Sequence, residues 1–245
     1  MPSKSFTAVE RGFAERTVLV PGWGFSGDVF SSLELPTNYL IVDDVGEFVR
    51  DEKSFVERLA AALDETGDRS AHVLGWSLGA HAALAWATAH PDRVPSLHLV
   101  GVRPSYPPDV VETERQALAA DPAGHLAHFY RRVFLADDSV RASFDLEQAT
   151  ERALQSRVPS SASLDEQLAF LATQAITAEA LRRTQAVLWH GRRDKIAPYE
   201  QADELAALAE SEFHRFDRGG HAIVFTTEFE SRWGEWIVEE GEQNF

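Results

Sequence analysis

The sequence contains no cysteine, which excludes a disulfide framework and any thiolate metal site and leaves a reducing compartment open. Basic residues are scarce, with 23 Lys plus Arg against 39 Asp plus Glu and a formal charge of -16. Binding to phosphate backbones or anionic lipid needs a basic face, so neither nucleic acid nor a membrane surface is expected as a partner. Nowhere does an apolar run reach the roughly 18 residues of a membrane span, and Met1-Pro2-Ser3-Lys4-Ser5-Phe6 lacks the apolar core of a secretory signal. A soluble, cytoplasmic monomer is the expectation. Internal repeats and low-complexity tracts are missing too. Histidines 72, 81, 90, 98, 125, 128, 190 and 214 show no clustered metal spacing and read as structural or solvated, so no metal and no cofactor are expected.

What is present is an ordinary globular composition, 44% hydrophobic and 25% charged over 245 residues, enough for one large α/β domain carrying an insertion. Short apolar runs at 17–20, 39–42, 72–75, 97–102, 186–189 and 213–216 read as strands. Between and after them, residues 54–63, 80–87, 200–208 and 228–238 read as helices. Such alternation predicts a mostly parallel central sheet flanked by helices. The rhythm breaks between 106 and 180, where helical segments at 110–120, 125–135, 139–155 and 165–173 follow one another without a strand. The expected organisation is therefore a core from 1–105 and 181–245 and an all-helical lid insertion over 106–180.

Within the run from His72 to Gly79, Gly75-Trp76-Ser77-Leu78-Gly79 follows a buried strand and precedes an alanine-rich helix. This matches a Gly-x-Ser-x-Gly nucleophile elbow, where the serine sits at a tight turn and side chains at the flanking positions would collide with neighbouring backbone. A serine hydroxyl is a poor nucleophile unless an oriented base removes its proton. His190-Gly191-Arg192-Arg193-Asp194 follows a later strand, and Gly219-Gly220-His221 follows the last. The chain order is then Ser77, Asp194, His221, the order of an α/β-hydrolase triad. Asp43 and Asp44, which follow an earlier strand, are weaker candidates for the acid. The oxyanion hole is expected from the backbone N–H of Leu78 and of Trp23, the latter in the turn Pro21-Gly22-Trp23-Gly24 after the first buried strand.

On these segments the chain resembles the α/β-hydrolase superfamily over nearly its whole length. More narrowly, Gly22-Trp23-Gly24, Leu74-Gly75-Trp76-Ser77-Leu78-Gly79, His90-Pro91-Asp92-Arg93-Val94 and the helical insert resemble the pimeloyl-[acyl-carrier protein] methyl ester carboxylesterases of biotin synthesis. The resemblance implies that Ser77 attacks a methyl ester, that His221 acts as base and then acid with Asp194 orienting it, and that Trp23, Trp76 and Phe129 wall the substrate pocket. It also implies an acyl-ester substrate carried on acyl-carrier protein. Two departures stand out. Pro21 occupies the place of the histidine in the His-Gly pair of many members, and residues 106–180 hold six arginines, no lysine and twelve acidic residues, where the family meets an acidic carrier with arginines. Arg131, Arg132 and Arg141 are the candidates for a local basic patch. Two other readings stay open: the same triad turned to lactone, C–C bond or lyase chemistry, and a non-catalytic ligand-binding relative.

Overall fold

The computed structural model describes residues 5–134 and 161–243, with the side chains of 161 and 239–243 left aside. Its seven strands are β1 (Phe6–Val9), β2 (Arg16–Val20), β3 (Asn38–Val42), β4 (His72–Trp76), β5 (Leu97–Val100), β6 (Val187–Gly191) and β7 (Phe213–Phe216). They form one sheet in the order β1-β3-β2-β4-β5-β6-β7, parallel throughout except for the antiparallel edge strand β1. Every residue of β2, β4 and β5 is buried, which is why these strands read as unbroken apolar runs and not as alternating ones. The expected β/α alternation is present. The chain steps outward from β2 to β3 and then crosses back to lay β4 on the other side of β2. At that switch point the loops after β2 and β4 diverge and leave a crevice at the carboxyl ends of the strands.

The pleat divides the side chains of β4. Gly75 faces helix α3 (Gly79–Ala89), so closely that a Cβ there would stand 2.7 Å from the Ala80 Cα and the Ala83 Cβ. His72 points the other way, edge-on to Trp233 of the closing helix α9 (Thr227–Gln243), and His98 of β5 meets the same tryptophan at 5.4 Å. The two helices thus cover opposite faces of the sheet. Helices α1 (Gly46–Arg50) and α2 (Glu52–Glu65) follow β3, and the Asp51 carboxylate caps α2 by accepting from the Ser54 N–H at 3.0 Å.

After β5 the chain runs through α4 (Pro108–Ala120) and α5 (Pro122–Phe134), and then α6 (Ser161–Leu171), close to the helices expected at 110–120, 125–135 and 165–173. The helix expected at 139–155 lies outside the described residues. Ile176 N–H donates to the Pro104 carbonyl at 2.8 Å and Ser105 bridges Ala175, so the outgoing and returning chain lie side by side. A short helix absent from the sequence reading, α7 (Ala178–Thr184), begins at the Thr177 cap and leads into β6, after which α8 (Tyr199–Ala209) connects to β7. Among the described residues no helix is long and apolar enough to cross a membrane.

Candidate active site

Ser77 follows β4 directly with φ of 55°, in the left-handed region that a side chain rarely adopts. Its N–H is held by the Val100 carbonyl at 2.9 Å, and the turn into α3 begins with the Ala80 N–H donating back to the Ser77 carbonyl. Strain of this kind persists where the surroundings impose it, and here it lifts the hydroxyl above the sheet. The turn after β2 comes just as close: a Cβ on Gly22 would lie 3.1 Å from that of Ser77. Among the described residues neither the Trp23 nor the Leu78 backbone N–H donates a hydrogen bond to another group of the protein. Both N–H groups expected to form the oxyanion hole are thus without an acceptor in the protein.

Asp194 and His221 come from the loops after β6 and β7. The His221 Nδ1–H donates to Asp194 Oδ2 at 2.7 Å, while Asp194 Oδ1 accepts from the N–H groups of Ile196 at 2.7 Å and Ala197 at 2.8 Å. Three donors therefore converge on this carboxylate. Burial by itself would raise the carboxyl's pKa, but the charge and hydrogen bond of His221, with His190 and the Ala197 N–H, outweigh it and hold Asp194 below the usual value. His190 is the second imidazole near this carboxylate. Burial depresses its pKa, and its Nε2 is occupied by the Ala197 carbonyl at 2.9 Å. Asp43 and Asp44 are engaged elsewhere, with Thr7 and with the Gly46 N–H.

The other ring nitrogen of His221, Nε2, is buried and has no hydrogen-bond partner. Gly101, directly after the Val100 that holds Ser77, packs its backbone against the imidazole, where a Cβ would be 3.1 Å from Cε1. The Ser77 side chain lies instead beside Tyr106, and both line one cavity. Burial pushes the tyrosine up to about 12, with smaller opposing effects from Arg103 and Ser77, so Tyr106 is a neutral donor at neutral pH. Tyr106 carries no spacing signal in the sequence, because it belongs to no motif and reaches the site only through the path of the chain into α4.

Ser77, Trp23, Tyr106, Phe129, Leu168 and Arg103 are among the residues that line a cavity with about 580 Å³ of free space, part of it open to solvent. Trp23 and Phe129 meet edge to face at 4.6 Å, and the Trp23 indole N–H is pinned to the Leu164 carbonyl at 3.0 Å. The expected third wall is placed differently. Trp76 is fully buried, does not line this cavity, and donates its indole N–H to the His221 carbonyl at 2.9 Å. Its place in β4 puts it two residues beyond Leu74, on the α9 side of the pleat, where it supports the histidine loop from beneath. Of the expected basic patch, Arg132 is paired with Glu114 at 3.0 Å, Arg131 is exposed, and Arg141 lies outside the described residues.

The sequence model of the family described as alpha/beta hydrolase fold matches residues 32–227. A pimeloyl-[acyl-carrier protein] methyl ester esterase of Vibrio cholerae is 29% identical over 237 residues, covering 90% of this chain and 92% of that one. Another of the same name, from Chromobacterium violaceum, is 30% identical over 245 residues, covering 86% and 89%. Among solved structures, an esterase from Exiguobacterium antarcticum superposes with a TM-score of 0.77 at 18% identity, over 96% of this chain and 94% of that one.

Proposed function

The chain belongs to the α/β-hydrolase fold family, and from that premise we propose that it is a serine carboxylic-ester hydrolase working through an acyl-enzyme at Ser77. The observation that carries this reading is the pairing of His221 Nδ1 with Asp194 at 2.7 Å, which leaves Nε2 as the one basic nitrogen of the ring and without a partner. In this reading the Ser77 hydroxyl donates to that nitrogen when the ester is bound. Oγ attacks the ester carbonyl as Nε2 takes its proton, and Asp194 stabilises the imidazolium without itself being protonated. The oxyanion meets the N–H groups of Leu78 and Trp23. The imidazolium then protonates the leaving alcohol, and water, deprotonated by the same nitrogen, releases the acid.

The substrates of this reading are short, fairly apolar acyl esters, in keeping with the Trp23 and Phe129 walls. The relatives' names point to the methyl ester of pimeloyl-[acyl-carrier protein] as a member of that class. The helical segment 106–180 serves in this reading as a lid over the core, with acyl-carrier protein as the partner that would deliver the acyl group. Hydrolysis of short-chain p-nitrophenyl esters by the wild type, lost in Ser77→Ala, tests the chemistry. Rescue of a biotin-requiring strain that lacks its own esterase tests the substrate: the wild type rescues and Ser77→Ala does not. An active esterase that fails to rescue leaves a carboxylesterase of other specificity.

A further inference from the structure

The cavity that holds Ser77 contains two guanidinium groups, and they are treated differently by their surroundings. Arg132 is matched by Glu114 at 3.0 Å, and the second oxygen of Glu114 lies 3.1 Å from His125 Nε2. Arg103, which lines the same cavity, has no carboxylate within ion-pair distance among the described residues, and its Nε is buried without a hydrogen-bond partner. It is half-buried, with its guanidinium carbon over the face of Tyr106 at 4.8 Å from the ring centroid. Stacking on an aromatic face orients the fork but uses none of its N–H groups. In a chain with 39 acidic residues a counter-ion is not scarce. A buried N–H left without an acceptor is costly unless something else supplies one.

The position says what that anion is attached to. Tyr106 lines the cavity together with Ser77 and carries Arg103 on its ring face, so one aromatic ring stands between nucleophile and guanidinium. A molecule whose ester carbonyl lies at Ser77 therefore reaches Arg103 with a group a few methylenes away, past Val111, Leu168, Leu171 and Ile196, while the one carboxylate of the lining, Glu114, is taken up by Arg132 and His125. We propose that Arg103 is a specificity-determining residue that binds a free carboxylate at the far end of the acyl chain, and that the preferred substrates are half-esters of short, straight-chain dicarboxylic acids. A carboxylate matches the planar fork of guanidinium with two parallel hydrogen bonds. The reaction is that of the ester-hydrolase reading, on which this rests: half-ester and water give dicarboxylic acid and alcohol. It rests on the esterase chemistry of that reading alone and replaces its carrier-delivered ester by a free half-ester, since a carrier thioester at the far end has no charge to offer Arg103.

The test compares monomethyl half-esters with the dimethyl diesters of the same diacids over a ladder of chain lengths. The wild type is expected to give a higher kcat/KM on the half-ester, with a maximum at one length. Arg103→Gln is expected to lower the ratio of half-ester to diester kcat/KM by about tenfold or more, and Arg103→Lys to restore part of it, because a charged contact is lost in the first and its bidentate geometry in the second. A merely structural role for Arg103 would lower both activities together and leave the ratio in place. A wild type that prefers the diester at every length, or an Arg103→Gln ratio equal to that of the wild type, overturns the assignment while leaving the esterase intact. Should Arg103→Gln fail to fold, the wild-type ratio and competitive inhibition by the free dicarboxylate of the optimal length decide: absence of both overturns it. If Ser77→Ala still hydrolyses half-ester and diester, the esterase reading itself is what fails.

Discussion

The histidine ladder on the α9 face of the sheet and the catalytic crevice at its carboxyl edge both contain buried imidazoles, and they differ in which ring nitrogens they leave unbonded. On the α9 side, Trp189 Nε1–H can only donate, so it fixes His98 Nδ1 as an acceptor at 3.0 Å. The remaining proton of neutral His98 is on Nε2 and goes to Ser96 Oγ at 2.7 Å; Ser96 then donates to His72 Nδ1 at 2.7 Å, and His72 Nε2–H reaches Glu15 at 3.2 Å. Every ring nitrogen in this ladder is used. In the crevice His221 Nε2 and Arg103 Nε are buried with nothing to bond. Unmade hydrogen bonds in a buried site cost stability. The ladder spends all of its polar capacity on the fold, and the crevice keeps some for a ligand.

The sharpest way to break this contrast is to remove the nucleophile. Ser77→Ala should lower kcat for ester hydrolysis by at least about a thousandfold with an unchanged urea midpoint, since the Ser77 hydroxyl has no hydrogen-bond partner among the described residues. Next in size is Asp194→Asn, expected to lower kcat by about a thousandfold or more through loss of the correct imidazole tautomer and of charge beneath it. Urea unfolding should register it too, because the Ile196 and Ala197 N–H groups lose a charged acceptor. The ladder should answer in the opposite sense. His98→Leu strands Ser96 and the Trp189 indole, and about 2–4 kcal/mol of unfolding free energy should go, while KM for a p-nitrophenyl ester stays close to that of the wild type.

Acid should separate the regions further. Burial holds the pKa of His72 and His190 below the ordinary value, that of His98 well below it, and that of His81 at about 4, against 6.5 when exposed. The unfolded chain therefore binds protons that the folded chain refuses. Stability from these groups is complete above about pH 6.5 and is lost as pH falls toward 4, with a slope of up to about 1.4 kcal/mol per pH unit for each histidine. Tm measured from pH 7.5 down to 4.5 should fall along that window, and His81→Leu should flatten the profile. A Tm that rises on acidification would contradict it. The smallest effect expected is that of Trp76→Phe, which removes the N–H holding the His221 carbonyl; about 1 kcal/mol of stability and a few-fold drop in kcat should follow, with KM nearly constant.

The parts of this arrangement legible in the sequence are those that local chemistry dictates. Gly75 and Gly79 announce the sharp turn at Ser77, and unbroken apolar runs announce strands buried on both faces. The order of Asp194 and His221 after later strands pointed to one crevice because parallel strands present their carboxyl ends together. The family resemblance implies Trp76 as a pocket wall, whereas the pleat of β4 turns it away from the cavity and under the His221 loop. Tyr106 and Arg103 were not legible at all. They stand beside Ser77 because Pro104 pairs with Ile176, far along the chain, and no local pattern records that contact. The short helix α7 escaped for a simpler reason, since seven residues give too little periodicity to read.

The most direct test of the central claim is mass spectrometry of the protein after reaction with a fluorophosphonate. A single stoichiometric adduct on Ser77, absent from Ser77→Ala and formed far more slowly in Asp194→Asn, is the predicted result. An unlabelled wild type, or an adduct that persists when Ser77 is replaced, would contradict the account.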